Sequence, residues 1–283
     1  MPAAFSLHPS QNPANNIQSG AKRYTTMLSM EGKIVFVTGG SSGIGRATAL
    51  DFAAARARLL VCARRLDRLT TLAADLKSAG AEAVQTFALD VRDRAAVETA
   101  IKSLSPEWAA IDVLVNNAGL SRGLAKLYAD DPENWEEMID TNVKGLLYVT
   151  RAVVPGMVER GRGHVINLGS TAGRQTYANG AVYCATKAAE RVLSEGLKLD
   201  LMGTPVRVTT VDPGTVETEF SEVRFRGDTE RAAKVYQNIT PLRPEDVADA
   251  ILWAATRPPH VNVHEILLTT IDQANSNTLA RRS

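Results

Sequence analysis

The sequence predicts an α/β fold, a single domain with one doubly wound parallel sheet of about seven strands and helices on both faces. Three observations carry this. Short apolar runs alternate with helical-period stretches from Lys33 to the run HEILLT near the C-terminus. The first run leads directly into a glycine-rich turn and an amphipathic helix, IVFVTGGSSGIGRATALDFAA, the opening of a βαβ unit. The run IDVLVN has an unbroken apolar centre, VLV, as a parallel strand covered on both faces requires.

Composition narrows the function classes. With 283 residues, 45% of them hydrophobic, one large domain has ample material for a core. Lys plus Arg (32) almost balances Asp plus Glu (31), so the basic field that nucleic acid demands is absent. Cys62 and Cys184 are too few for a disulfide framework, and neither sits in a metal-type cluster with His, so no metal is expected. No run reaches the ~18 apolar residues of a membrane span, and no basic-then-apolar signal pattern opens the chain. A cytoplasmic protein with a small-molecule partner, and neither membrane nor nucleic acid, is the expectation.

Residues 1–29, rich in Pro, Asn, Gln and Ser, have no period of either kind and are expected to form a disordered tail ahead of a domain over 30–283. Met27 and Met30 stand just before the first strand as alternative translation starts to Met1. In the turn that follows, Gly39, Gly43 and Gly45 allow a tight bend, close approach to a pyrophosphate, and close packing of helix on strand. With Ser41, Ser42 and Ile44 between them, they put the free N–H groups and positive dipole end of the helix at the phosphates.

The strand RLLVCARR ends in Arg64 and Arg65, with no carboxylate where NAD-binding folds hold a ribose hydroxyl. Two guanidiniums there suit a 2′-phosphate, so the cofactor is expected to be NADP. Before it, Arg56 occupies a helix stop where glycine would be comfortable, at a cost of about 1 kcal/mol if left-handed. A helix over 66–79 stops at Gly80, and the strand AVQTFALD brings Asp90 and Val91 to a sheet edge within reach of an adenine, with helix capping as the other use of Asp90.

A helix over 93–104 leads to IDVLVNNAGL, where Asn117, Ala118 and Gly119 let backbone and cofactor meet closely. Residues 134–159 read as one long helix whose Asn142 is a polar burden unless its amide has a task, and whose end Pro155 should bend or interrupt. HVINLGS then sets Ser170 at a strand end. On the next helix, from about Ala181 to Leu201, Tyr183 and Lys187 share one face, so the ammonium can favour the phenolate form of the tyrosine. After the strand VRVTTVDPG, with Pro213 and Gly214, the polar stretch 215–240, carrying Val216 and Thr218, suits a mobile lid. Pro244 starts a helix with Glu245 and Asp246 in its first turn, and HEILLT and a polar tail close the chain.

Together, T-G-x-x-x-G-I-G at Thr38–Gly45, N-N-A-G at Asn116–Gly119, Asn142, Ser170, Y-x-x-x-K at Tyr183–Lys187 and P-G at Pro213–Gly214 resemble the short-chain dehydrogenase/reductase family, over about residues 31 to 272. The resemblance implies a Rossmann-like fold, with Tyr183 as proton donor or acceptor and Lys187 easing that transfer while holding the nicotinamide ribose. It further implies that Ser170 steadies the substrate oxygen, Asn142 anchors a relay water and Thr218 reaches the cofactor carboxamide.

The segments at Trp135–Leu146, Val216–Asp228, Val235–Asn238 and Pro244–Ala248 look like the NADP-dependent 3-hydroxy acid dehydrogenases, including serine 3-dehydrogenase and enzymes acting on 3-hydroxypropionate and allothreonine. That narrower likeness implies a homotetramer paired through the helices that carry Asn142 and Tyr183. A broad carbonyl, aldehyde or 3-ketoacyl-thioester reductase and a non-catalytic NADP sensor are the alternatives. For a small hydroxy acid, selection requires a cation at the substrate carboxylate, and Arg174, Arg224 and Arg226 are the candidates.

Overall fold

Seven parallel strands form one sheet in a computed structural model that describes residues 27–282. In chain order the elements are β1 (Ile34–Thr38), α1 (Gly43–Ala54), β2 (Arg58–Ala63), α2 (Leu66–Ser78), β3 (Ala83–Ala88), α3 (Arg94–Lys102), α4 (Pro106–Ala109), β4 (Val113–Asn116), α5 (Pro132–Ile139), α6 (Leu146–Glu159), β5 (Gly163–Leu168), α7 (Ala181–Asp200), β6 (Val206–Pro213), α8 (Phe220–Arg224), α9 (Thr229–Tyr236), α10 (Pro244–Ala255) and β7 (Glu265–Leu268).

The strand order β3-β2-β1-β4-β5-β6-β7 reverses between β1 and β4. Loops leaving these two strands diverge there, which opens a crevice at the carboxyl edge of the sheet.

Two apolar layers sandwich the sheet, and the period of two within each strand divides the side chains between them. Val35 and Val37 of β1 face Phe52 of α1, Leu72 of α2 and Ile251 of α10, whereas Ile34 and Phe36 face Val97 of α3 and Val149 and Met157 of α6. Burying each such side chain contributes about 1.5–3 kcal/mol. Strands β3 and β7, at the two edges, are only partly covered.

Several elements differ from the sequence reading. The helix expected over 134–159 is two α-helices joined by a wider π turn, Asp140–Gly145, around Asn142. Pro155 does not end α6, because both it and Arg151, whose carbonyl loses its usual donor, lie on the exposed face where water can substitute. The cap of α3 is Asp93, which accepts from Ala96 N at 3.0 Å, and not Asp90. Arg56 does adopt the left-handed conformation (φ 63°), as does Gly80 (φ 109°). At the N-terminus, Leu28 N donates to Thr256 O at 2.8 Å and Met30 is buried, so order begins before residue 30. The expectation of a disordered tail falls otherwise on residues 1–26, outside the described part. No described helix is long and apolar enough to cross a membrane.

Candidate active site

A cleft of about 540 Å³ opens at the reversal point, lined from Gly39, Ser42, Gly43 and Ile44 at one end to Tyr177 and Arg224 at the other. Its floor is the glycine turn, pressed against the end of β4. A Cβ on Gly39 (φ 66°) would lie 2.9 Å from Ala118 Cα, and one on Gly45 would meet Asn117 Nδ2 at 2.3 Å. Only glycine permits this approach.

Thr38 and Asn117 lock the turn to the strand. Asn117 Nδ2 donates to the carbonyls of Thr38 (2.9 Å) and Gly39 (3.1 Å), while the N–H groups of Asn117 and Ala118 both donate to Thr38 Oγ1 at 3.1 Å. Opposite Gly43, Thr218 closes over the turn, 3.3 Å from where a Cβ would stand. The bare backbone and the open N-terminus of α1 form a cradle that fits dinucleotide phosphates.

The cation cluster at the end of β2 is larger than the sequence reading has it. Arg65 donates to Ser41 Oγ (3.3 Å), Ser42 Oγ (2.9 Å) and Glu219 (3.1 Å), while Arg68, one turn further on, donates to the same carboxylate at 2.5 Å. Partial burial works against charge on Glu219, but these two guanidiniums hold its carboxyl below the ordinary range. Arg64 is exposed and has no ion-pair partner among the described residues.

Asp90 forms a close pair with Arg92, with contacts of 2.6–3.0 Å, which opposes its desolvation and keeps its carboxyl below the ordinary value. Its neighbour Val91 packs its side chain beneath Gly145, so only its backbone is left for a ligand.

Pro213 and Gly214 end β6 on the cleft wall, where Gly214 N donates to Leu268 O at 2.8 Å. A side chain on Gly214 would collide with Gln273 Oε1, which accepts from Thr215 N at 2.8 Å. Val216 bridges to Leu242 and anchors the start of the segment that carries α8 and α9.

Tyr183 and Lys187, one turn apart on α7, are 8% and 6% exposed and line the same cleft with Ser170. Lys187 Nζ donates to Leu168 O at 2.6 Å and to Glu190 Oε2 at 2.8 Å. Burial acts against its charge, yet the Glu190 carboxylate and Tyr183 hold its pKa above the usual lysine value. Ser170 Oγ accepts from Ala172 N at 3.1 Å, which fixes the oxygen and leaves its hydrogen for a ligand.

The Asn142 side chain is held at both ends of its amide. Its Oδ1 accepts from Leu120 N (2.9 Å) and its Nδ2 donates to Leu120 O (2.8 Å) and Thr186 Oγ1 (3.0 Å). The wider π turn that carries Asn142 departs from the regular helical ladder, a feature frequent at functional sites. Gly119 leaves room here, since a Cβ would come within 3.3 Å of Asn142 Oδ1 and 3.7 Å of Lys187 Nζ.

The three candidate arginines have different fates. Arg174 is taken by Asp212 at 3.0 Å and by Glu265. Arg226, exposed, donates to Asn134 Oδ1 at 2.9 Å and pairs with Glu137 at 3.6 Å. Arg224 alone of the three lines the cleft. It lies 5.5 Å from the Tyr183 ring centre and 5.2 Å from that of Phe220, and it donates to Tyr177 Oη at 3.1 Å, while its buried Nε has no partner.

Tyr177 and the C-terminal wall, Ser276 to Arg281, are cleft features that the sequence reading does not include, and so is Arg68, which holds Glu219 at the cleft's edge. Tyr177 gives no periodic signal in its polar loop. Arg68 sits at helical spacing from Arg64 and was open to inference.

The chain matches the model of the short chain dehydrogenase family over residues 33–228. It is 50% identical over 251 residues to the NADP-dependent 3-hydroxy acid dehydrogenase YdfG of Salmonella typhi, covering 88% of this chain and 100% of that protein. It is 41% identical over 257 residues to the NADP-dependent 3-hydroxy acid dehydrogenase of Schizosaccharomyces pombe, covering 90% and 99%. Among solved structures, the closed form of serine dehydrogenase complexed with NADP+ superposes with a TM-score of 0.83 at 47% identity, covering 88% of this chain and 100% of that one.

Proposed function

The chain belongs to the short chain dehydrogenase family, and from that premise we propose that it is an NADP-dependent enzyme acting on the 3-hydroxyl of a small 3-hydroxy acid, such as serine, 3-hydroxypropionate or allothreonine. The observation that carries the substrate class is Arg224. A half-buried guanidinium that lines the cleft beside Tyr183, with its Nε unpartnered, calls for an anion, and a substrate carboxylate one or two carbons from the reacting carbinol supplies it. The relatives named above for 3-hydroxy acid and serine oxidation support the same class.

NADP, when bound, supplies the hydride acceptor or donor. The glycine turn and the N-terminus of α1 hold its phosphates, and Arg64 and Arg65, with Arg68 behind them, receive the 2′-phosphate. Asp90 and the Val91 backbone serve the adenine end. Asn117, Ala118, Gly119, Pro213, Gly214, Val216 and Thr218 line the path to the nicotinamide.

Tyr183 takes the hydroxyl proton in oxidation and returns it in reduction. Lys187, with two of its N–H groups fixed on Leu168 and Glu190, keeps its third for the cleft, where it favours the phenolate and holds the ribose. Ser170 donates its free O–H to the substrate oxygen. The π turn around Asn142 anchors a relay water.

Exposed Ile139, Leu147 and Val158 along α5 and α6, and Val192, Leu199 and Met202 on or just beyond α7, support pairing of subunits through these helices in a homotetramer. The buried free thiols Cys62 and Cys184 suit the cytoplasm. Turnover with NADP across 3-hydroxy acids, 3-ketoacyl thioesters, sugar alcohols and aldehydes tests the substrate class. A marked preference for an uncharged alcohol or aldehyde would refute it.

A further inference from the structure

Behind the cleft lies a carboxylate whose charge has no part in the chemistry proposed so far. Glu190, three residues after Lys187 on α7, is 2% exposed, and its Oε2 accepts from Lys187 Nζ at 2.8 Å. Ionised carboxylates are seldom fully buried, because desolvation costs several kcal/mol, and an apolar residue at this position would pack with less penalty.

The local geometry is built to hold it. Ser194 Oγ donates to Glu190 O at 2.7 Å and accepts from Asn167 Nδ2 at 2.8 Å, which ties this turn of α7 to β5. The Lys187 ammonium has three donors. Leu168 O and Glu190 take two of them, so the carboxylate decides where the third one points.

We propose that Glu190 is a positioning residue for proton transfer: its carboxylate fixes the Lys187 ammonium and, by its charge, sets the pH at which Tyr183 exchanges its proton. This rests on the reading of Tyr183 and Lys187 as the proton-transfer pair. The charged groups around Glu190 are few and known. On α7 it is Lys187, while Tyr183, one turn from that lysine, is itself faced by the Arg224 guanidinium of α8. From β6 comes Asp212, itself paired with Arg174, which is held in turn by Glu265 of β7.

Burial pushes the Glu190 carboxyl above the ordinary range, Lys187 draws it back, and Asp212 adds to the rise. The field of Lys187 at the Tyr183 oxygen is therefore offset whenever Glu190 is charged, and unopposed when it is not.

Glu190→Gln keeps an acceptor for Lys187 and removes the charge. For alcohol oxidation, which needs the phenolate, the acid limb of the kcat/KM profile should move to lower pH by about one unit, with plateau turnover kept within a few-fold. Glu190→Met, of similar length but without an acceptor, should move the limb in the same direction and also lower kcat by about tenfold or more, a loss that Gln rescues. Melting temperature and NADPH binding establish that each variant is folded, and either variant suffices to read the limb.

An acid limb that coincides with the parent's, or a uniform loss at every pH that tracks melting temperature, would overturn the proposal. Tyr183→Phe, run in parallel, separates the two readings. Retained turnover in that variant overturns the proton-transfer pair itself, whereas an inactive Tyr183→Phe with an unshifted Glu190→Gln profile overturns only the role of Glu190.

Discussion

Replacing Arg224 with Met removes the guanidinium from the cleft while keeping most of the stem. In the parent this group touches Tyr177 Oη at 3.1 Å and lies 5.2–6.0 Å from three aromatic ring centres. Loss of those contacts affects every substrate alike. What distinguishes a hydroxy acid is the charge-assisted pairing of its carboxylate, about 1.5–3 kcal/mol, or roughly 10- to 150-fold in kcat/KM. The ratio of kcat/KM for a 3-hydroxy acid to that for an uncharged alcohol of similar size should therefore fall by that factor in Arg224→Met.

Two controls bracket the result. Arg174→Met strands the carboxylate of Asp212, whose side chain is only 2% exposed, and should lower stability by a few kcal/mol with no selective effect on the acid. Arg226→Met removes an exposed pair worth at most about 1 kcal/mol and should change little. Equal losses on acid and alcohol in Arg224→Met would refute the carboxylate assignment.

The cofactor end gives a second expectation: Arg64→Ala should weaken NADP by about 1.5–3 kcal/mol while sparing NAD, and equal losses in a fluorescence titration of NADPH and NADH would count against the 2′-phosphate site. Tyr183→Phe should bind NADPH as the parent does and lose most turnover, as steady-state rates beside that same titration will show. The fourth concerns His164, buried beside Arg207, where its desolvation first and that guanidinium second depress its pKa well below 6.5. The unfolded chain takes up a proton as pH falls through that value and the folded chain does not, so stability is present above pH 6.5 and is lost below it at about 1.4 kcal/mol per unit. Urea midpoints at pH 7 and 5.5 should diverge less in His164→Leu than in the parent; equal divergence would sink the argument.

The sheet was legible because its strands announce themselves locally, as apolar runs with a glycine turn after the first. Elements shaped by distant contacts were not. The π turn at Asn142 follows from an amide that clasps the backbone of Leu120, 22 residues away, and no period within 134–159 encodes that. The fate of the three arginines was hidden for the same reason. Arg174, Arg224 and Arg226 read as equal candidates, but Asp212 on β6 and Glu265 on β7 claim Arg174, and both come from strands far along the chain. Tyr183 and Lys187 were legible through helical spacing. Glu190 obeys the same spacing, yet a Glu on an Ala-rich helix reads as a solvated charge until the fold shows it buried.

The cations at the end of β2 are not equivalent, and the difference follows from the segment after β6. Glu219, just before α8, accepts from both Arg65 and Arg68, so a 2′-phosphate that reaches Arg65 meets a guanidinium already paired. Those partners are 37–41% exposed, and pairs in such settings are worth only about 0–1 kcal/mol. A phosphate bound bidentately is worth more, so the exchange favours the cofactor but returns less than the full value of an Arg–phosphate contact. Arg64 carries no such debt. The same short helix that places Glu219 on the cofactor's cations places Arg224, at its other end, against Tyr183. A shift of α8 that carried Glu219 off Arg65 would also carry Arg224, so the contacts proposed for the 2′-phosphate and for the carboxylate share one helix of five residues.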